Sequence, residues 1–162
     1  MEMSDARAMN KVFGDADVMR YGEGVKSEQW VLNWLLQNSD QTVKIASWAI
    51  DKKESGETIG YCGLFYYPDI CGQPETEIGY RLARSFWGYG YATESARSIQ
   101  NYAFNSLDLS RLIALIDPQN IASVHVVEKL GFSYEMDVML EGYTHPDHVY
   151  TCANDGCIDI HK

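Results

Sequence analysis

Trp87-Gly88-Tyr89-Gly90-Tyr91-Ala92-Thr93-Glu94 is the stretch that decides how this chain is read. It follows a strand-like segment, Thr76 to Ala83, and leads into a helical pattern with Ala92, Ala96, Ile99 and Ala103 on one face. Glycine at 88 and 90 allows a tight turn and close approach of a ligand to the backbone. Thr93 is expected to open the helix, with Glu94 in the first turn, where a carboxylate suits the dipole. A strand, a glycine turn and a helix in that order aim unpaired N–H groups and a positive dipole end at one point. An anion fits there, and a diphosphate can be held by N–H groups alone. The loop has no Gly-Lys-Ser/Thr, so it is not a Walker loop. It also lacks the third glycine of a dinucleotide turn, although Asp117 ends the following strand. Taken alone, the turn leaves three readings open: a plain tight turn, a dinucleotide site and another diphosphate site.

The sequence upstream weighs against a dinucleotide fold. Residues 5 to 13 are compatible with a short helix, and Gly22 and Gly24 mark a loop. Ser27 reads as the N-cap of a helix that carries Trp30, Leu32, Trp34 and Leu35 and ends near Asn38. Lys44 to Asp51 and Thr58 to Tyr67 read as strands joined by a hairpin turn over Lys52 to Gly56. Pro68, Gly72 and Pro74 bracket a loop before the third strand. This is an antiparallel meander. Downstream, Leu112 to Ile116 is an apolar run of buried-strand length. A turn over Asp117 to Asn120 leads to a helix with Ala122, Val126 and Leu130 in register and Gly131 at its C-terminal cap. Phe132 to Leu140 and His148 to Cys152 read as two final strands. The pattern predicts one mixed α/β (α+β) domain over residues 1–162.

Composition narrows the function classes. The 162 residues suffice for one domain with a full core. No apolar run reaches the roughly 20 residues of a membrane span. Met1 to Asp5 has neither the basic nor the apolar stretch of an export signal, so a cytoplasmic setting is expected. The net charge is −10, which leaves no basic footprint for nucleic acid. An acidic surface draws amines or basic peptides, or simply keeps the chain soluble. Four cysteines are expected as free thiols. Cys152, Cys157 and His161, with His145 or His148, form a conceivable zinc set, but C-x-x-C spacing is missing and no metal is expected.

A second segment settles the matter. Asn120 and Ser123 precede Lys129-Leu130-Gly131-Phe132, and Glu77-Ile78-Gly79-Tyr80 precedes the glycine turn. Upstream stand Val18-Met19-Arg20-Tyr21 and Glu57-Thr58-Ile59-Gly60. In combination these resemble the GNAT superfamily of N-acetyltransferases, in particular the ribosomal-protein alanine acetyltransferase branch, over about residues 15 to 145. The resemblance implies a mostly antiparallel sheet splayed between the fourth and fifth family strands, with acetyl-CoA entering the gap. It implies pantetheine contacts at Leu82 and Ala83 and diphosphate contacts from Gly88 through Tyr89, Gly90, Tyr91 and Ala92 to Thr93. Trp87 replaces the usual Gln or Arg at the start of the acyl-CoA signature. Asn120 and Ser123 are implied near the thioester, while Lys129 reads either as a helix C-terminal lysine that complements the dipole or as a contact to the cofactor's phosphate. The family's first strand is apparently missing here, and another chain, as in a homodimer, or the C-terminal tail is expected to cover the exposed edge.

Acyl transfer to an amine needs a base for the ammonium and stabilisation of the leaving thiolate. The resemblance puts the base at Glu77, with Glu75 on the same strand face as a substitute or an amine-steering group. Ser123 is the candidate donor to the sulfur, and Tyr134 a second one. Tyr21, Glu23 and Trp30 are candidate acceptor contacts, as the loop and helix there form one wall of the family's acceptor site. The acceptor is expected to be a peptide N-terminus or a small amine. A non-catalytic CoA-binding or interaction module and a nucleotide-dependent oxidoreductase are the alternatives.

Overall fold

The computed structural model describes residues 1–40 and 44–154. Among the described residues four α-helices and six strands make up the fold: α1 (Ala6–Phe13), α2 (Glu28–Gln37), β1 (Ser47–Asp51), β2 (Thr58–Ile70), β3 (Gln73–Leu82), α3 (Tyr91–Asn105), β4 (Arg111–Ile116), α4 (Ile121–Lys129), β5 (Ser133–Val138) and β6 (Asp147–Ala153). The sheet order is β1-β2-β3-β4-β6-β5. All neighbours are antiparallel except β3 and β4.

Local signals place most boundaries. Ser27 Oγ accepts from the Trp30 N–H at 3.2 Å, which caps α2 as its position suggested. Gly131, at φ 85°, ends α4 in the left-handed conformation that favours glycine. Two expectations need correction. Pro68 and Pro74 lie inside β2 and β3, and not in a loop. The register slips between Tyr67 and Ile70, so Pro68 sits at a bulge where no ladder N–H is required. Also, α3 begins at Tyr91 with Gly90 as its N-cap, ahead of Thr93.

The sheet separates two packed layers. On one face α3 and α4 bury Ala96, Ala103, Phe104, Val127 and Leu130 against Cys62, Leu64, Ile78, Leu112 and Ala114. On the other, α1 and α2 bury Met9, Val12, Phe13, Val31 and Leu35 over Tyr61. The core side of α4 is centred on Val127 and Leu130, with Val124 and Val126 packed at its margin, while Ala122 is exposed in the wall of a groove that Val126 also lines. Trp48 packs edge-on to Tyr102 in the first layer, as a core residue. Among the described residues no strand precedes Ser47, so β1 is the sheet edge. Most of the tail expected near that edge, including Cys157 and His161, lies outside the described residues. Cys62 and Cys71 are free thiols, whereas Cys152 is disulfide-bonded, contrary to expectation.

Candidate active site

β3 and β4 run parallel but share one register pair, Glu77 with Ile113. On the N-terminal side of that pair, Arg111 Nη2 closes the gap by binding Glu75 Oε1 at 2.9 Å and Glu135 Oε2 at 2.8 Å. On the C-terminal side the strands part. The Ala83 N–H donates to Ile59 C=O at 2.9 Å. By antiparallel alternation, the N–H and C=O of Leu82 and Tyr80 therefore face the gap.

Glu77 wedges this fork. Its Oε1 accepts the Leu115 N–H at 3.3 Å, taking up a strand donor from β4 beyond the single register pair. Its Oε2 accepts the Tyr67 O–H at 3.1 Å. Burial pushes the Glu77 carboxyl up to about 7, and the Asp147 charge adds to this; Leu115, Tyr67 and Arg81 act in the opposite sense. The Glu77 charge and burial together hold the Tyr67 hydroxyl well above its ordinary value.

Two cavities meet here. One, of about 290 Å³, lies on the α1–α2 face. Its walls include the rings of Tyr21, Trp30, Trp34 and Tyr61 and the carboxylates of Glu23, Glu77 and Asp117. The other, of about 730 Å³, runs along the glycine turn between α3 and α4. They share Tyr21, Tyr80, Arg81, Asn120 and Ser123. Tyr80 donates its O–H to Ser123 C=O at 3.3 Å, which ties β3 to α4 at the junction.

The groove offers donors and positive charge that an anion can meet. Gly88 and Gly90 adopt φ 82° and 86°, and an added Cβ at either meets no atom within 4 Å. Gly90 caps α3 with no side-chain hydrogen bond. The N–H groups of Tyr91, Ala92 and Thr93 therefore open the helix without intrahelical acceptors. Trp87 anchors the turn by donating its indole N–H to Leu82 C=O at 2.9 Å. Leu82, Trp87, Gly88, Gly90 and Tyr91 line the groove, as do Ala92, Thr93 and Lys129. Arg20 and Arg84 stand at its wall, both paired with Asp17.

Most of the expected site residues converge. Glu77, Ser123, Asn120, Tyr21, Glu23 and Trp30 all border the smaller cavity. Asn120 uses Oδ1 to cap α4 at the Ser123 N–H, 3.2 Å away. Glu23 binds Lys26 Nζ at 2.7 Å, and that ammonium lies 5.2 Å over the Trp30 ring. Four expected residues stand apart. Glu75 is 6% exposed and committed to Arg111, so it lines neither cavity. Tyr134 is 52% exposed on the outermost strand and donates to Asp137 Oδ1 at 3.2 Å. Ala83 is buried with its N–H engaged, and the Tyr89 ring packs 6.1 Å from Tyr91, outside the groove walls. Sequence reading assigned no role to Tyr67, Tyr80 or Arg81. Period-2 alternation from Glu77 would have found Arg81 on the same face. Tyr67 reaches Glu77 diagonally across the β2–β3 ladder and has no short-range signal.

Comparison with known proteins agrees with this architecture. The family described as an acetyltransferase (GNAT) domain matches residues 1–133. The chain is 36% identical to the Bacillus subtilis protein YkkB over 139 residues, 85% of this chain and 80% of that one. It is 28% identical to the Escherichia coli spermidine N(1)-acetyltransferase over 163 residues, all of this chain and 84% of that enzyme. The structure of a GNAT-family acetyltransferase from Bacillus anthracis superposes with a TM-score of 0.81 at 26% identity, covering 96% of this chain and 92% of the other. A Vibrio cholerae spermidine N-acetyltransferase, solved with CoA and spermine, shares the fold at a TM-score of 0.77 and 18% identity, with 96% and 94% covered. On this fold, this site and these matches, the chain belongs to the GNAT acetyltransferase family and is an acyltransferase.

Proposed function

We propose that this chain transfers the acetyl group of acetyl-CoA to the primary amine of a small cationic molecule or a peptide N-terminus, by direct attack. The observation that carries the reading is the position of Glu77. Its carboxyl is pushed up to about 7 and lines the smaller cavity, which shares Tyr80, Arg81, Asn120 and Ser123 with the groove leading to the uncapped helix end.

Acetyl-CoA supplies an activated acyl thioester. The residues present fit it: N–H groups at the start of α3 suit a diphosphate, and Arg20, Arg84 and Lys129 suit further negative charge. The Leu82 N–H and the Tyr80 N–H and C=O, facing the fork, suit an amide-bearing arm, while the Leu82 C=O holds the Trp87 indole. An amine arrives as an ammonium and cannot attack until it loses a proton. Glu77 takes that proton, directly or through water, and its value near 7 matches the task at neutral pH. Ser123 is the hydroxyl assigned to the departing sulfur, and the Tyr80–Ser123 bond holds that part of α4 in place.

The acceptor side supports a cation. The carboxylates of Glu23, Glu77 and Asp117 and a set of aromatic rings that includes Tyr21, Trp30, Trp34 and Tyr61 line a small cavity together with Lys26 and Arg81, and an ammonium on an aliphatic stem fits against those rings and carboxylates. The similarity to a spermidine acetyltransferase and the net charge of −10 point the same way. The test is thiol release from acetyl-CoA across a panel of aliphatic amines and short peptides, with product mass. Amine-dependent release and a product heavier by one acetyl group are expected. CoA binding without turnover, or hydrolysis indifferent to every amine, would sink the proposal.

A further inference from the structure

We propose that Asp117, His145 and Asp147 bind one divalent transition-metal cation, which fastens the loop over residues 139–146 to the end of β4. A ligand-capable atom of each residue lies within 4.8 Å of the other two. His145 Nε2 is already 2.9 Å from Asp117 Oδ2. The independent sign is Asp147. It is 7% exposed, and its Oδ1 has no hydrogen-bond partner among the described residues. Buried polar oxygens are as a rule satisfied, by protein, water or an ion. The charged groups acting on Asp147 are the Asp117 carboxylate and the imidazoles of His145 and His148, and a cation held between Asp117, His145 and Asp147 satisfies all three.

The outer contacts are those of a metal ligand set. Asp117 Oδ1 accepts the Gln119 N–H at 2.8 Å, which orients the carboxylate and leaves Oδ2 facing His145. His145 Nδ1 lies 3.4 Å from Thr144 Oγ1, so the far ring nitrogen is engaged and Nε2 faces the carboxylates. Such outer hydrogen bonds are how proteins fix ligand orientation and tautomer. Metal–ligand bonds of about 2.0–2.2 Å put neighbouring ligands roughly 3–4 Å apart. The Asp117–His145 pair already meets that spacing, and the remaining separation closes with a loop movement of about 1 Å. A mixed nitrogen–oxygen set suits zinc, manganese, cobalt or nickel better than magnesium or calcium, which prefer oxygen alone. The loop also carries Tyr143, which lines the acceptor cavity, so the ion would fix one wall of that cavity.

The experiment strips the full chain with chelator and titrates it with Co(II) and then Zn(II). Calorimetry, visible absorption and the thermal midpoint are read together. One equivalent of Co(II) with ligand-field bands, displaced by Zn(II), and a raised midpoint are expected. His145→Ala changes a side chain that is 45% exposed, so it leaves the fold intact. Loss of a direct ligand weakens binding by more than about 100-fold, beyond the range seen for outer-shell residues. Asp147→Asn is the second variant, with circular dichroism and an acetyl-CoA thermal shift reporting folding. His161→Ala and Cys157→Ser retain full binding. No stoichiometric binding would overturn the proposal. So would binding that survives His145→Ala but is lost with the tail variants, or stabilisation through these residues by aliphatic amines and by no metal.

Discussion

Replacing Glu77 with Gln separates the chemistry of the fork from its architecture. The side chain keeps its shape, and the amide Oε1 can still accept the Leu115 N–H. It loses the ability to take a proton. In the native chain the carboxyl is displaced from 4.5 to about 7, chiefly by burial. At 1.36 kcal/mol per pH unit this is about 3 kcal/mol held against the ionised form. The folded chain therefore binds more protons than the unfolded chain between pH 4.5 and about 7. Stability attributable to Glu77 falls as pH rises through that window and is level above it. Glu77→Gln abolishes the slope. The variant matches the parent to within about 1 kcal/mol at pH 4.5, where the carboxyl is mostly neutral, and exceeds it by up to about 3 kcal/mol at pH 8.5. Urea unfolding followed by tryptophan fluorescence at both pH values measures this. The parent's kcat/KM rises with pH through an acidic limb near 7, whereas the variant is slower by about 10²- to 10⁴-fold and lacks that limb. A variant with full activity at pH 7, or an unchanged stability slope, would refute the reasoning about Glu77.

Other perturbations test the neighbouring parts. Tyr67→Phe removes a hydrogen bond that favours the ionised carboxylate. The acidic limb of kcat/KM therefore moves up by about one pH unit, and activity at pH 7 falls but recovers in alkali. Gly90→Val forces a β-branched residue to φ 86° and fills space beside the open N–H groups. Calorimetry is expected to show an acetyl-CoA Kd at least about tenfold weaker, equivalent to about 1.4 kcal/mol. Arg111→Met removes the cation that balances the buried Glu75, leaving it the Gln73 amide, and lowers unfolding stability by about 3 kcal/mol, while KM for acetyl-CoA holds. Ser27→Ala deletes the α2 cap and costs about 1 kcal/mol in chemical denaturation, with no change in turnover pH profile.

Local chemistry made much of this fold readable. Ser27, Gly90 and Gly131 each perform a task that depends on their immediate neighbours: a cap, a left-handed turn, a helix stop. The glycine turn before α3 was legible for the same reason. What escaped depends on residues far apart in the chain. Glu75 and Glu77 are indistinguishable by spacing, yet one meets Arg111, 36 positions on, and the other the Leu115 N–H, 38 positions on. The placement of Tyr134 after Gly131-Phe132 suggested a site residue, but β5 is the outermost strand and turns it toward solvent. Pro68 and Pro74 read as loop signals because a bulge that tolerates proline is set by cross-strand register. Asp117, His145 and Asp147 gather only when β4 and β6 pair and the intervening loop folds back.

The single rung between β3 and β4 has a mechanical consequence. A sheet resists shear because many rungs must fail together, but here two three-stranded plates share one backbone register pair, with the Glu75–Arg111 ion pair and the Glu77–Leu115 hydrogen bond beside it. Their alignment falls to bolts behind the sheet, where Gln100 of α3 reaches Leu130 C=O and Arg97 reaches Lys129 C=O at the end of α4. A molecule whose amides bridge the open stretch supplies the missing rungs itself. On the proposed reading acetyl-CoA becomes part of the scaffold, and amide exchange in Tyr80, Leu82 and the end of β4 is expected to slow in concert when it is added.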